Sequence, residues 1–297
     1  TGLPTKTEQS DLLQVMFGRN GDSPLVVLAP QSPADCFEIA IEGARIAMQH
    51  MVPVVILSDG YLANGAEPWK IPDPSLFEPI EVSHADDGEM FEPYARDTRL
   101  VRPWATPGTP GLEHRIGGLE KADVSGDVSY DAENHQIMTR LRHEKVERIA
   151  ETIAPIEPYG DASGDLLVLG WGGTYGAIIT AVGRAREKGL KVPAAHLRYL
   201  NPMPNNLGQV LSRFDKVLVP ELNMGQLRML IRGTFLVDAR GLNKIQGKPF
   251  LVEEIQQAIE LMLIGEWGES EFLCPQRHEV TAEGYNPQMT SNPADGI

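Results

Sequence analysis

The sequence predicts an α/β protein with parallel sheets, and two observations carry this prediction. Near the start, two short apolar runs flank a stretch of helical periodicity, the pattern of a strand–helix–strand unit. From residue 165 to residue 263, strand and helix patterns alternate again, as in a doubly wound sheet. A proline-rich stretch without clear periodicity separates the two regions. We therefore expect two α/β units joined by an extended linker.

The first predicted element is a helix over residues 12–17, whose apolar residues share one face and which Gly18 ends. Just before it, Thr5 and Glu8 stand at the spacing of a capping box, in which each side chain accepts from the other residue's amide. A capped helix start gathers unpaired amides at the positive end of the helix dipole, which suits a bound carboxylate or phosphate. A cap that binds no ligand is the simpler interpretation of this spacing.

The first strand–helix–strand unit follows. Residues 25–29 and 54–57 are apolar runs next to prolines, which is typical of buried parallel strands. The helix between them has Ser32 as its predicted cap and ends near Met51. Apolar residues recur along it at steps of three and four, and we expect them to face the core: Phe37, Ile41, Ala44, Met48 and Met51.

Residues 68–160 are predicted to be a linker, because prolines interrupt any long element there. One amphipathic helix is expected over 137–149, with Glu144 and Arg148 spaced to pair along it. The histidines and acids of this region lack the spacing of a metal-ligand set, so we predict no metal site.

The second region predicts a parallel, doubly wound sheet. Strands are expected over 165–170, 194–200 and 216–221, and helices from the turn at 171–176 to Gly189 and over 207–214, 225–235 and 252–263. The first of these turns resembles a dinucleotide-binding fingerprint, but Tyr175 stands where its third glycine should be. The following strand also offers no acid for a ribose. We therefore expect the glycines to serve close packing of helix and strand.

Polar residues lie at the ends of two of the predicted strands, at the edge where open α/β sheets bind ligands. Asp59 follows the second strand, and either caps the next turn or holds a neighbouring loop. Glu221 and Asn223 end a strand of the second region and are candidates to face a cleft. Hydrogen bonds that fix their own loop are the alternative role for both.

Composition limits the partners. A net charge of −15 argues against nucleic acid and anionic membrane surfaces. Cys36 and Cys274 are too few for an iron–sulfur cluster and suit a cytoplasmic protein. No apolar run reaches membrane-spanning length.

Five sequence blocks, in order, resemble the α subunit of 2-oxoacid:ferredoxin oxidoreductases, and most of all the two-subunit 2-oxoglutarate type. They are TGLPTKTEQ at 1–9, FGRNG at 17–21, LSDGYL at 57–62, EPW at 67–69 and ELNMGQL at 221–227. In that family a Gly-Gly-Pro-Ser segment precedes the first block. We therefore expect this chain to be a C-terminal portion that lacks the N-terminal domain and the first part of the pyrimidine-side domain.

The resemblance also implies a domain plan. It gives the remainder of a thiamine diphosphate pyrimidine-type domain over 1–75 and a linker with one helix over 76–160. A domain like the transketolase C-terminal domain is expected over 161–265, followed by an irregular tail over 266–297.

By resemblance, the enzyme converts a 2-oxoacid, coenzyme A and oxidised ferredoxin to acyl-CoA, carbon dioxide and reduced ferredoxin. Thiamine diphosphate, Mg²⁺ and a 4Fe–4S cluster are then held mainly by a β subunit. The expected assembly is a heterodimer or a dimer of heterodimers that also needs the N-terminal α portion.

The resemblance assigns residues to a substrate site. Thr5 contacts the 2-oxoacid, with Thr1 and Gly2 in the same loop. Support for that loop is expected from Lys6, Gln9, Asp59, Glu221 and Asn223. No catalytic residue is expected in this chain alone. Two alternatives remain, a non-catalytic scaffold that docks to a thiamine enzyme, and a component of a lipoamide-linked 2-oxoacid dehydrogenase.

Overall fold

The computed structural model describes Leu3 and residues 5–85, 90–267 and 270–272. Its strands are β1 (Val26–Leu28), β2 (Val54–Ile56), β3 (Gly164–Trp171), β4 (Ala194–Leu197), β5 (Tyr199–Asn201), β6 (Phe214–Glu221), β7 (Ala239–Asn243) and β8 (Ser270–Phe272). Its α-helices are α1 (Leu12–Phe17), α2 (Asp35–His50), α3 (Gly60–Asn64), α4 (Ala132–Arg148), α5 (Tyr175–Glu187), α6 (Leu207–Leu211), α7 (Gln226–Phe235) and α8 (Val252–Ile264). None of the described helices combines the length and apolarity that crossing a membrane requires.

The smaller sheet has the order β2-β1-β5, with β1 parallel to β2 and antiparallel to β5. Strand β1 is buried, whereas β2 is only half-buried because it forms an edge of this sheet. The strand predicted over 194–200 is in fact two strands, one in each sheet, separated at Arg198. Because β5 belongs to the smaller sheet, the chain returns to its first region after starting its second.

Helix α2 begins and ends near its predicted bounds, and the Ser32 hydroxyl accepts from the Asp35 amide at 3.3 Å. The predicted core face is wrong, because Phe37 and Met48 are exposed. The buried face instead carries Ile39 and Ile46. Two apolar stripes run along this helix. The stripe that contains Gly43 packs against the sheet, because a glycine permits the closer approach.

Residues 65–131 contain no helix longer than a single 3₁₀ turn at Pro74–Leu76, within the described part of this segment. Helix α4 starts at Ala132, five residues before its predicted start, after an N-cap at Asp131 whose carboxylate accepts from the amides of Glu133 and Asn134. The predicted pair of Glu144 and Arg148 is present at 3.6 Å. The prolines thus explain the lack of long helices over the described part of 65–131, and the cap at Asp131 explains where α4 begins.

The larger sheet is entirely parallel, with the order β4-β3-β6-β7-β8. Helices α5 and α8 cover one face, and α6 and α7 cover the other, so the sheet is doubly wound as predicted. The core on the α6/α7 face also contains Leu12 of α1 and Val27 of β1. One continuous apolar cluster therefore joins the two sheets.

Three expectations about elements need correction. The capping box at Thr5 and Glu8 is absent, because no helix starts there: α1 begins at Leu12, after an N-cap at Asp11 that makes no side-chain cap hydrogen bond. Strand β7 was not predicted, because its Arg240 and Gly241 interrupt the apolar pattern. Strand β8 lies inside the expected irregular tail. The rest of that tail, 273–297, lies outside the described residues.

Candidate functional site

Strands β3 and β6 lie side by side at the switch point of the larger sheet, where the connections on either side run in opposite directions. In doubly wound folds the carboxyl ends of two such strands open a crevice that takes a ligand. Here residues 7–11, which belong to no helix or strand, lie across that crevice. The amide of Thr7 donates to the carbonyl of Gly247 at 3.2 Å, which ties the segment to the loop after β7.

Gln9 fills the crevice. Its Nε2 donates to the carbonyl of Trp171 at 2.8 Å, at the end of β3. Its Oε1 accepts from the amide of Leu222 at 3.0 Å, just after β6, and its own amide donates to the Leu222 carbonyl at 3.1 Å. A single side chain, 3% exposed, thus bridges the ends of both strands.

Asn223 holds the other side of the same segment. Its Nδ2 donates to the carbonyl of Gln9 at 2.8 Å and to Oε1 of Glu221 at 3.1 Å. Its Oδ1 accepts from the amides of Gly225 and Gln226 at 2.7 and 2.9 Å. The expected support of the loop by Asn223 is therefore a direct contact with the Gln9 backbone.

Gln226, which sequence reasoning did not select, completes this attachment. Its Nε2 donates to the carbonyl of Ser10 at 2.8 Å, and its Oε1 accepts from the amide of Leu13 at 3.0 Å. The only available sequence signal is its position in the last of the five blocks, after the glycine that starts α7.

Glu221 is fully buried beneath Asn223 and does not face a cleft. Its carboxylate accepts from Trp171 Nε1, from Asn223, and from the amides of Leu227 and Arg228 at the start of α7. Burial raises the pKa of Glu221, and these hydrogen bonds act in the opposite direction. Its role is to fix the loop between β6 and α7, together with the Trp171 ring.

Asp59 joins the smaller sheet to the larger one. One carboxylate oxygen caps α3 by accepting from the amides of Tyr61 and Leu62 at 2.9 and 3.1 Å. The other accepts from the amide of Gly173 at 2.7 Å, in the turn after β3. The two roles expected for this residue, cap and loop holder, are therefore filled at once.

The glycines of the turn after β3 make these contacts possible. A Cβ atom at Gly173 would lie 2.5 Å from the carboxylate of Asp59, and one at Gly172 would lie 2.8 Å from Nε2 of Gln9. Gly172 also has a φ of +59°. Only Gly170 serves the predicted packing of helix against strand. The other two admit side chains from the first region.

Thr5 and Lys6 lie just before this attached segment and are exposed. Their side chains make no hydrogen bond within the residues that the structure describes. A cavity of about 120 Å³ lies beside the segment, lined by residues 8–11, 56–59 and Trp171. Thr1 and Gly2, the other predicted substrate contacts, lie outside the described residues. The Thr5 hydroxyl and the Lys6 ammonium group are thus exposed to solvent, and the backbone that follows them is fixed through Gln9.

Comparison with known proteins places this geometry in a family. A family model described as "Pyruvate flavodoxin/ferredoxin oxidoreductase, thiamine diP-bdg" matches residues 1–133. The 2-oxoglutarate oxidoreductase subunit KorA of Mycobacterium tuberculosis is 55% identical over 273 residues, which are 91% of this chain and 42% of that protein. The chain belongs to the 2-oxoacid:ferredoxin oxidoreductase α-subunit family.

Other members of the family extend the similarity. The α subunit of 2-oxoacid:ferredoxin oxidoreductase 1 from Aeropyrum pernix is 30% identical, over 87% of this chain and 42% of that protein. A solved 2-oxoglutarate:ferredoxin oxidoreductase from Magnetococcus marinus, with 2-oxoglutarate, coenzyme A and succinyl-CoA bound, superposes with a TM-score of 0.84 at 32% identity. That match covers 88% of this chain and 46% of the solved chain. The chain thus spans less than half the length of these relatives.

The family model that matches residues 1–133 covers only one side of the candidate site. Its match includes the segment 5–11 and Asp59, whereas Glu221 and Asn223 lie beyond its end at residue 133. The hydrogen bonds of Gln9 and Asp59 connect the matched part to the larger sheet.

Proposed function

We propose that this chain is the α-subunit portion of a thiamine diphosphate-dependent 2-oxoglutarate:ferredoxin oxidoreductase. The enzyme decarboxylates a 2-oxoacid oxidatively, forms an acyl-CoA and reduces ferredoxin. The observation that carries the proposal is the segment 5–11, whose backbone is fixed by Gln9 while Thr5 and Lys6 remain open to solvent. The 55% identity to a subunit named for 2-oxoglutarate supports the choice of substrate.

The described residues do not fit the metal that a diphosphate cofactor requires. Within the described ranges, no group of three or more His, Cys, Asp or Glu residues converges to hold an ion. Cys36 is the single cysteine described, too few for a 4Fe–4S cluster. We therefore assign thiamine diphosphate, Mg²⁺ and the cluster mainly to a β subunit. When bound, the thiamine cofactor supplies the carbon nucleophile and electron sink for decarboxylation.

This chain's share of the chemistry is to bind and orient the substrate. The Thr5 hydroxyl donates a hydrogen bond to a carboxylate of the 2-oxoacid, and the Lys6 ammonium adds positive charge beside it. Gln9 acts through the loop, because it fixes the loop backbone against the larger sheet. Asp59 acts one step further away, because it holds the turn after β3 that Gln9 also contacts. Such positioning matters because small misplacements of a bound substrate have large effects on rate.

The proposed assembly contains further partners. The relatives extend beyond the matched region, so we assign the remaining α-subunit residues a part in the complete site. A β subunit, ferredoxin and coenzyme A complete the system, as a heterodimer or a dimer of heterodimers. Cytoplasmic localisation stays a prediction from cysteine usage.

Replacing Thr5 with Val tests the substrate contact in the assembled enzyme. The change removes a hydrogen-bond donor and keeps the shape of the side chain. We expect kcat/KM for 2-oxoglutarate to fall about tenfold or more, as for a lost hydrogen bond to a charged group. The measurement is 2-oxoglutarate-dependent ferredoxin reduction at several substrate concentrations.

Two variants control this test. Thr5→Ser keeps the hydroxyl and should retain most of the activity. Ser10→Ala removes an exposed hydroxyl of the same segment, which bonds only Asp11, and should leave the kinetics unchanged. Normal kinetics in Thr5→Val would favour the scaffold alternative. Transfer of the acyl group to lipoamide, with no ferredoxin reduction, would instead indicate a lipoamide-linked dehydrogenase.

A further inference from the structure

A basic cavity lies between the linker and helix α4, away from the candidate substrate site. Its volume is about 360 Å³. Among the described residues, Glu120 is the single acid that lines it. Five cationic side chains also line it: Arg96, Arg102, Lys121, Arg142 and Lys145. This concentration of positive charge occurs in a chain with a net charge of −15.

Most of this positive charge is not matched by carboxylates. Arg96 pairs with Asp123 at 2.5 Å, and Arg142 lies 3.9 Å from Glu120 at the rim. In the described ranges, Arg102, Lys121 and Lys145 have no carboxylate within 4.0 Å. Charges taken out of water are normally paired, so this arrangement has a free-energy cost that a bound anion would offset.

The two lysines are held in place by neutral groups. Lys121 is 4% exposed and donates to the carbonyls of Gly117 and Leu119 at 2.6 and 2.9 Å. Lys145 donates to the carbonyl of Met51 at 2.9 Å. An ammonium group has three donors, so each lysine retains at least one for a ligand.

Arg102 is held in a similar way. Its guanidinium lies over the ring of Tyr94, 4.2 Å from the ring centre, and donates to the carbonyl of Pro93 at 3.1 Å. Stacking on an aromatic ring fixes the plane of the guanidinium and leaves its other N–H groups in a fork that matches phosphate oxygens. The cations are therefore preorganised before any anion arrives.

The cations also act on one another. Burial, together with the neighbouring charges of Arg102, Arg96 and Arg142, lowers the pKa of Lys145 to about 8. Burial likewise lowers the pKa of Arg102. These side chains line the same cavity, and their like charges repel one another.

We propose that this cavity binds a small multivalent phosphate anion, such as pyrophosphate or the diphosphate group of a nucleotide. The excess of cations over acids in the lining favours a multivalent anion over a single carboxylate. A concave site of about 360 Å³ suits a small molecule better than an extended acidic protein surface. The inference does not depend on the proposed 2-oxoacid activity.

The test uses the full-length subunit in its assembled enzyme and inorganic pyrophosphate as the probe, measured by titration calorimetry at low and high salt. We expect saturable binding that weakens with salt. Arg102→Gln and Lys145→Gln should weaken it at least about tenfold each, because each removes a charged hydrogen-bond donor. Arg140→Gln is the matched control, because Arg140 is an exposed cation on the same helix. This substitution should leave the affinity for pyrophosphate unchanged.

A second measurement needs no variant. Pyrophosphate should slow acylation of Lys145 in the wild-type enzyme, read by mass spectrometry, and leave the exposed Lys191 unaffected. Adenosine diphosphate binding more tightly than pyrophosphate would identify an organic phosphate as the ligand. No saturable binding, or equal labelling of both lysines with and without pyrophosphate, would overturn the proposal. Weakened subunit association in Arg102→Gln without pyrophosphate binding would assign the cations to an acidic protein partner instead, and would also overturn it.

Discussion

At the scale of single residues, two imidazoles are held neutral by burial. Nδ1 of His196 is enclosed without a hydrogen-bond partner, and its Nε2 lies 3.1 Å from the carbonyl of Gly172. Burial and the nearby charge of Arg198 lower the pKa of His196 to about 3, against the opposing effect of the hydrogen bond with Gly172. Burial and neighbouring cations lower the pKa of His50 to about 4. Both side chains are therefore uncharged near neutral pH.

This neutrality makes stability depend on pH. Unfolded imidazoles bind protons below a pH of about 6.5, whereas these two do not in the folded state. The unfolded chain then binds more protons, so the free energy of unfolding falls as pH drops from 6.5 toward about 4 for His50 and about 3 for His196. His196→Gln should remove one of these two contributions, at most about 1.4 kcal/mol per pH unit.

Urea unfolding between pH 7 and pH 5 measures this slope. The Gln side chain can still donate to the carbonyl of Gly172, so the variant keeps the one hydrogen bond of the ring. His143→Gln, at an exposed position of α4, is the control and should keep the wild-type slope. An unchanged slope in His196→Gln would show that this imidazole binds its proton equally well in the folded and the unfolded chain.

At the scale of elements, the start of α3 and the turn after β3 share one carboxylate. In Asp59→Asn, the amide oxygen can still accept from Tyr61 and Leu62 and cap α3. Its NH₂ group would then point at the amide of Gly173, so a buried donor loses its acceptor. We expect a loss of about 1–3 kcal/mol in the free energy of unfolding, measured in denaturant.

Asp73→Asn is a matched control for this change. Asp73 caps a 3₁₀ turn by accepting from the amide of Ser75, and no second element bonds to it within the described structure. The same substitution should therefore change stability by less than about 0.5 kcal/mol. Equal losses in the two variants would mean that Asp59 acts as a cap only.

Most elements could be predicted from sequence, because strands β3 and β6 and helices α5 and α8 are buried and carry unbroken apolar patterns. The face of α2 was predicted wrongly, because two apolar stripes run along this helix and hydrophobicity alone does not select the stripe that contains Gly43. Strand β5 escaped prediction because its three residues continue the pattern of β4, and only tertiary pairing separates them.

For the candidate site, sequence reasoning selected Gln9, Asp59, Glu221 and Asn223, and the structure brings all four to one junction. Their partners could not be foreseen, because each hydrogen bond there joins residues more than one hundred positions apart or depends on a turn that only the fold creates. The substrate roles of Thr5, Thr1 and Gly2 stay predictions.

At the scale of the whole molecule, the two sheets are interlocked. Strand β5 pairs with β1, and just before it Arg198 forms a two-pronged ion pair with Asp35 of α2. The hydroxyl of Tyr199 donates to Glu42 at 2.8 Å. The segment 5–11 crosses in the opposite direction, into the larger sheet. Each sheet therefore depends on residues from the other region of the chain.

This interlock predicts that both sheets unfold together. Amide hydrogen exchange of β1 and of β6 in the 297-residue chain should show the same dependence on denaturant, as expected for one cooperative unit. Calorimetry should give one transition whose calorimetric and van't Hoff enthalpies agree. Exchange of β1 at clearly lower denaturant than β6 would show that the smaller sheet opens alone.

The position of Gln9 has a consequence for inhibitor design. Its side chain occupies the switch-point crevice as a ligand that is covalently part of the chain. Its effective concentration there is in the millimolar range or above, and it does not fall when the protein is diluted. A compound aimed at this crevice must displace that tethered amide before it gains any contact. A compound that succeeded would detach the segment carrying Thr5, and would thereby disturb the proposed substrate contact without resembling the substrate.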